Sequence, residues 1–379
     1  VLAPRHAVIV DAYPHLRYGA QETARTLARA LPAAGWSTEV VTPGPGPFVD
    51  RLRADGITVT VLDVPAPLAR YGGRWSAPAA GCALVPVWVR LARHLRGRAG
   101  VVHANDHRGM LLAGPAARLA GVPLVWHVHY VQRTPALTRL GRLLAARVLV
   151  CSAATARDTP GLGRATVVPN AIDDRFCGPP PARPTAGTGG PLLVTVGRIH
   201  PDKGLDVLLD ALALARREVP GLRLAVVGDT TPGAEAYRDA LLRRVAALGL
   251  DRAVEWCGWL ANPEQVLAGA AAYVQASRHE PFGVAVAEAM ACGIPVVVTD
   301  AGGLAEVVDG GRCGLVVPAE DPGALAAALV RVVTDSDLAA RLATDGRAHA
   351  LATFTPERLA HQVAAVYDEI RGAPVPARR

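Results

Sequence analysis

Ser277 to Val308 reads SRHEPFGVAVAEAMACGIPVVVTDAGGLAEVV, and the fold is decided here. Glu280 and Glu288 bracket a segment that opens on Pro281-Phe282-Gly283 and then reads as a helix. Gly283 frees the backbone at the helix mouth, so the first amides can face an anion. An alanine-rich run follows to Met290, and Gly293 stops it. Ile294 to Val298 is a short β-branched run of the kind that makes a buried parallel strand. Gly302-Gly303 then precede a second helix from Leu304 to Val308. This order of strand, loop and helix, repeated, puts both loops at one edge of a sheet. Helix N-termini and glycine amides gathered there form an anion site, most naturally for phosphate. Glu280 falls on the loop and Glu288 within the helix, so the two carboxylates can hold hydroxyls at two ends of a polyol. Taken alone, such a pair is better read as two solvated glutamates around an ordinary helix.

Working outward, 379 residues, about half of them hydrophobic, suffice for two cores. The net charge of +7 suits nucleic acid, an anionic membrane surface or an anionic substrate. The arginines are scattered rather than stacked, which weighs against nucleic acid. Lys203 is the only lysine in the chain. Six cysteines show no C-x-x-C pair and no metal-ligand spacing, and they read as reduced thiols. No apolar run approaches the ~18 residues that span a bilayer, and a strand begins almost at once. A cytoplasmic protein is expected; the oligomeric state is open.

Ala7 to Val10 makes the first strand, and the loop Asp11 to Gln21 leads to a helix from about Glu22 to Ala34 that Gly35 caps. Gly19 thus stands at a strand-to-helix turn, where open parallel sheets bind ligands. Arg70 to Arg98 reads in two ways: a basic amphipathic surface for anionic lipid, or a helix packed on the sheet with a solvated arginine face. The second is preferred, with Pro86 interrupting it. Val101 to Ala104 ends among His103, Asn105, Asp106 and His107, and Leu124 to Val128 ends at His127 and His129. The last two point to the same side of their strand. No acid or thiol nearby completes a zinc set, so sugar hydrogen bonding or proton handling is the preferred role. In the second half GRIHPDKG places Gly197, Arg198 and Lys203 just after a strand, without the spacing of a P-loop.

The Glu280 string resembles the donor-binding segment of retaining nucleotide-sugar glycosyltransferases of family 4, in which E-x7-E precedes G-x-P-V and a Gly-Gly loop. Glu280, Gly283, Glu288, Gly293, Pro295, Gly302 and Gly303 stand in register with it. GRIHPDKG is similar to the family's G-R-x4-K-G, and VPNAIDDRF to its crossover, with Asn170, Asp173 and Phe176 in place. Gly19-Ala20 replaces a Gly-Gly, a mild departure. The resemblance implies an α/β protein of two doubly wound, Rossmann-like domains facing a cleft, the glycosyltransferase B fold. Residues 1–177 would bind the acceptor, 178–190 form a Pro/Gly linker, 191–354 bind the nucleotide sugar, and 355–379 return as a helix to the first domain, ending in a frayed tail.

It further implies that Arg198 and Lys203 hold the diphosphate, with amides near Gly283 and Gly303 assisting. Glu280 would bind the donor sugar and Glu288 the ribose. Phe282 and Val284 flank the helix mouth, Trp259 lies against the base, Gly19 faces the donor, and His129 stands beside the reacting sugar. The nucleoside-diphosphate sugar, expected to be a UDP-sugar, is a co-substrate, so no cofactor and no metal are called for. Transfer would retain anomeric configuration. The expected acceptor is a small soluble molecule such as a secondary-metabolite aglycone or aminocyclitol, selected by loops at 11–21, 65–80 and 130–140. Alternatives are a peripheral membrane enzyme acting on a lipid-linked or envelope glycan, an epimerase or hydrolase on the same fold, and a non-catalytic binding subunit.

Overall fold

The structure, a computed structural model, describes residues 4–14, 19–64, 78–181 and 189–371, with 78–82 as backbone alone. Part of the Pro/Gly linker (182–188), the tail 372–379, and the acceptor-loop stretches 15–18 and 65–77 lie outside the described residues.

The chain forms two compact units, one of residues up to Ala171 together with those from Pro356, the other Ile172–Thr355. The first contains a sheet of β1 (His6–Asp11), β2 (Ser37–Thr42), β3 (Thr58–Val61), β4 (Val101–Asn105), β5 (Leu124–Val128), β6 (Arg147–Val150) and β7 (Thr166–Val167). Its order is β3-β2-β1-β4-β5-β6-β7, parallel throughout. The second contains β8 (Leu192–Val196), β9 (Arg223–Val227), β10 (Val254–Gly258), β11 (Ala272–Gln275), β12 (Val296–Thr299) and β13 (Leu315–Val317), ordered β10-β9-β8-β11-β12-β13 and also parallel. In each sheet the order reverses once, between β1 and β4 and between β8 and β11. Loops diverge there at the carboxyl ends of the strands, and ligands bind in the gap.

The central strands are apolar without alternation because helices cover both faces. Ala7, Val8, Ile9 and Val10 of β1 are all fully buried. The helix after β1 starts at Gly19 rather than near Glu22 and runs to Ala30; a 3-10 turn, Leu31–Ala34, carries Pro32 and closes on Gly35 at φ +81°. The helix Pro78–Leu95 continues through Pro86, which does not interrupt it as expected. Leu84, Val87, Leu91 and Leu95, spaced three and four apart, are buried, and this packing outweighs the missing backbone bond. Trp88 donates from Nε1 to the Leu111 carbonyl at 3.1 Å, while Arg90, Arg93 and Arg96 face outward.

The units divide at Ala171/Ile172, ahead of the expected boundary at 177/178. Ile172 donates from its amide to the Phe354 carbonyl at 2.8 Å, and Arg347 donates to the Gly178 carbonyl at 2.8 Å, so this crossover is carried with the second unit. The helix Pro356–Ile370 buries Leu359, Ala360, Val363, Ala364, Tyr367 and Ile370 in the core of the first unit, against Trp36, Leu27 and Leu31.

Candidate active site

In the second unit the order reversal falls between β8 and β11, and the loops leaving these two strands carry the expected cations and the first glutamate. After β8 the chain turns through Gly197 and Arg198 into the 3-10 turn Pro201–Lys203, capped by Gly204 at φ +60°. A Cβ on Gly204 would stand 2.1 Å from the Ala276 carbonyl oxygen, so only glycine lets this loop lie on the one leaving β11. Two further bonds join them: the Arg278 and His279 amides donate to the Asp202 carbonyl at 2.8 and 3.3 Å. The result is an ion pair between the Lys203 ammonium and the Glu280 carboxylate, both largely buried, with side-chain exposures of 17% and 13%. Arg198 follows β8 in the same loop as Lys203, its Nη1 3.5 Å from the Thr231 hydroxyl.

Behind the pair stands a network that the sequence motifs did not single out. Arg278 donates twice to Asp206, at 2.8 and 2.7 Å, once to the Pro201 carbonyl at 2.9 Å, and pairs with Glu320. Tyr237 donates its hydroxyl to Asp206 at 2.6 Å. Burial alone would raise the Asp206 carboxyl; Arg278 and Tyr237 outweigh it and hold it at about 2. The one available signal was the position of Arg278, two residues before Glu280.

Glu280 lies in the loop and Glu288 within the helix Val284–Ala291, as their spacing suggested. Burial raises the Tyr273 phenol, and the charges of both glutamates raise it further. Gly283 caps the helix at φ +109°, and a Cβ there would meet Leu304 Cδ2 at 2.7 Å. Val284 is the first helical residue.

Three of the expected site residues make contacts within the unit itself. Phe282 is 4% exposed and packs edge-on against Phe354, ring centroids 5.3 Å apart, so its side chain is core rather than ligand surface. The Gly303 amide donates to the Glu280 carbonyl at 2.9 Å and is already used. Gly302, at φ +58°, has its Cβ position 2.1 Å from that same carbonyl oxygen. The Gly-Gly loop therefore lies on the backbone of Glu280, with the Gly303 amide committed to it. The helix after it, Leu304–Val307, has only four residues and too few aligned peptides to add much of a dipole. Trp259 is 51% exposed, with its amide held by Asp229 at 3.1 Å.

In the first unit the order reversal brings Asp11, at the end of β1, opposite Asn105, at the end of β4. Asn105 donates from Nδ2 to Asp11 Oδ2 at 2.6 Å, and its Oδ1 lies 2.7 Å from His129 Nε2. Burial lifts the Asp11 carboxyl to about 6, opposed by hydrogen bonds from Asn105, the Tyr13 amide and Gln21. Burial lowers His129 to about 4, opposed by Asn170. His127 stacks on His129 with ring centroids 4.0 Å apart, and His103 meets His127 edge-on at 5.3 Å. Gly19 begins the first helix with open space around its Cβ position. Among the described residues one trio of potential metal ligands stands together, Asp309, Cys313 and His349, with ligand atoms within 4.8 Å of one another; Asp309 is ion-paired with Arg312. His103, His127 and His129 are not part of such a group. Cys151, Cys177, Cys257, Cys292 and Cys313 are free thiols. No helix among the described residues is long and apolar enough to cross a membrane.

The model for glycosyl transferases group 1 matches residues 190–335, and that for glycosyltransferase family 4 matches 18–176. The D-inositol 3-phosphate glycosyltransferase of Frankia alni is 32% identical over 352 residues, 84% of this chain and 86% of that one. The chain belongs to glycosyltransferase family 4. It is a nucleotide-sugar-dependent glycosyltransferase. The glycogen synthase of Mycobacterium tuberculosis is 32% identical over 294 residues, 71% of this chain and 69% of that one. Two solved structures share the fold over nearly the whole length. Anabaena HepE in complex with UDP has a TM-score of 0.81 at 23% identity, covering 96% of this chain and 99% of that one. Sucrose-phosphate synthase of Thermosynechococcus elongatus has a TM-score of 0.79 at 22% identity, covering 97% and 99%. The fold of this transferase is accordingly the two-domain B fold.

Proposed function

We propose that this transferase moves a hexose from a UDP-sugar to a hydroxyl of a small soluble acceptor, with retention of configuration and without a metal ion. The carrying observation is the Lys203–Glu280 pair between the loops of β8 and β11, with Arg198 in the same loop as Lys203. With no donor bound, the two charges neutralise each other. An arriving diphosphate competes for the Lys203 ammonium and is clasped from the other side by Arg198. Glu280 is then released to accept hydrogen bonds from hydroxyls of the donor sugar, and Glu288 to accept them from the ribose. As the glycosidic bond breaks, negative charge grows on the leaving phosphate, and the two cations stabilise it where a divalent ion serves in other enzymes.

In this reading the second unit is the donor domain and the first the acceptor domain, with His129 meeting the sugar. HepE, described with UDP and with UDP-glucose, supports uridine as the base. The inositol-phosphate relative supports a polyol acceptor. A second reading, a lipid-linked glycan acceptor, is favoured by the lipopolysaccharide core mannosyltransferase of Rhizobium leguminosarum, 32% identical over 212 residues, 55% of this chain.

The test is a turnover assay with UDP-hexoses against a panel of free polyols, aglycones and lipid-linked glycans, the products read by NMR at the anomeric proton. An axial donor should yield an axial product, unchanged by EDTA. An inverted product would refute retention, loss restored by magnesium would refute metal independence, and free sugar as the sole product would make the enzyme a hydrolase.

A further inference from the structure

The contacts around His129 determine which of its nitrogens carries a proton. Asn105 sits between Asp11 and His129, all three 6% exposed or less. Its Nδ2 faces two groups that only accept here: Asp11 Oδ2 at 2.6 Å and the Ala20 carbonyl at 3.1 Å. Both amide protons are thereby committed. Flipping the amide would press its oxygen against those same two acceptors at hydrogen-bond distance, with no proton between them. Oδ1 must therefore face His129, and an amide oxygen only accepts. His129 Nε2, 2.7 Å away, must supply the proton.

Asp11 is itself fixed: the Tyr13 amide donates to Oδ1 at 2.8 Å, and Gln21 Nε2 donates to Oδ2 at 3.2 Å. The chain of contacts crosses the order reversal of the first sheet, from β1 to β4 to the residue after β5. We propose that Asn105, locked by Asp11, is a positioning residue that holds His129 as the Nε2-protonated neutral imidazole, leaving Nδ1 as a hydrogen-bond acceptor. The groups facing this ring are His127, Asn170 and, through Asn105, Asp11; His103 and Asp106 lie behind them. Burial keeps the imidazole uncharged at neutral pH, with a pKa of about 4.

The inference deepens the reading of His129 as the group beside the sugar. It makes His129 a receiver of a hydroxyl's hydrogen bond rather than a cation or an acid.

Nitrogen-15 NMR of the full chain labelled at histidine tests this without any need for turnover, the His129 signals being assigned by their loss in His129→Gln. Wild type should show Nε2–H between pH 7 and 8. Asn105→Ala should mix the tautomers and lower kcat by about 100-fold, the scale of a misplaced catalytic contact, with the donor KM within about threefold. An Nδ1–H wild type, or an Asn105→Ala protein that keeps the wild-type tautomer, would overturn the proposal. Full activity in His129→Gln would instead sink the role of His129 beside the sugar while leaving the tautomer result standing.

Discussion

At the scale of single residues, the proposed donor site rests heavily on the Lys203 cation and on the missing side chain of Gly302. Lys203 is the only lysine in a chain whose other cationic side chains are all arginine. Its stem lies over Gly197, 3.5 Å from the Cβ position there, in a space cut for a slim chain. Lys203→Ala should abolish turnover. It also strands the Glu280 carboxylate, and because the pair keeps some exposure to water the stability cost should stay below the ~3–5 kcal/mol of a fully buried pair. Lys203→Arg keeps the charge but brings a planar fork into that space; kcat/KM should fall at least about tenfold, or ~1.4 kcal/mol of transition-state binding. Activity near wild type in Lys203→Ala would end its phosphate role. Gly302→Ala provides the second case. An L side chain in the left-handed region costs roughly 1–2 kcal/mol, and this one must also displace the Glu280 carbonyl, a backbone group that cannot turn away. Melting should show a loss of at least about 2 kcal/mol together with weakened donor binding. Gly19→Ala, whose Cβ meets nothing within 4 Å, is the control and should melt like wild type.

At the scale of elements, what the sequence revealed and what it concealed divide by chain distance. The donor segment was legible because its parts are consecutive: Glu280, Gly283 and Glu288 fall within nine residues, and helix and strand periods fix where each one points. Its internal bonding was less legible. Nothing in the string shows that Gly303 spends its amide on Glu280, or that Phe282 turns into the core. The polar line of the first unit was hidden for a different reason. Asp11 and Asn105 are 94 residues apart, and only the strand order β1-β4-β5 makes neighbours of them and His129. The last helix mixes the two cases. Its apolar stripe, Leu359, Val363, Tyr367 and Ile370, is plain in the sequence, but the surface that receives it is not. Tyr367 is fully buried, meets Trp36 edge-on at 5.0 Å, and shares a 2.8 Å hydrogen bond with His103 Nδ1. Tyr367→Ala should therefore cost the first unit about 3–5 kcal/mol, and Tyr367→Phe about 1–2 kcal/mol for the lost bond, both read from urea melts. Equal melts for Tyr367→Ala and wild type would show that the helix does not stabilise that unit.

At the scale of the whole molecule, the two units differ in what acid does to them. The first holds four histidines that fold uncharged. Burial lowers His103 to about 3 and His107 to about 4, with repulsion from His129 and Arg108 respectively; it also lowers His129 to about 4 and His127 well below the usual range. Below pH ~6.5 the unfolded chain gains protons that these folded rings refuse. Their contribution is thus complete above that pH and is lost as the pH falls toward 4, by up to about 1.4 kcal/mol per pH unit for each ring. Asp11, lifted by burial to about 6, and Asp106, also raised, act in the opposite sense: folded, they hold protons that the unfolded chain has released, so their terms improve as the pH drops through 6. Four rings outnumber two carboxyls, so the loss prevails. In the second unit Asp206, held at about 2, keeps its contribution until the pH falls well below 4. Unfolding of a two-unit chain need not be a single step. Melts between pH 7.5 and 5 should therefore separate into two transitions, the first unit's moving down further than the second's, where burial lowers one ring, His349. Tryptophan fluorescence can follow each, through Trp36 and Trp126 in the first unit and Trp256 and Trp259 in the second. A single transition that does not shift across that range would mean that the buried rings are charged or solvated in the folded state, and the tautomer assigned to His129 would have to be abandoned with them.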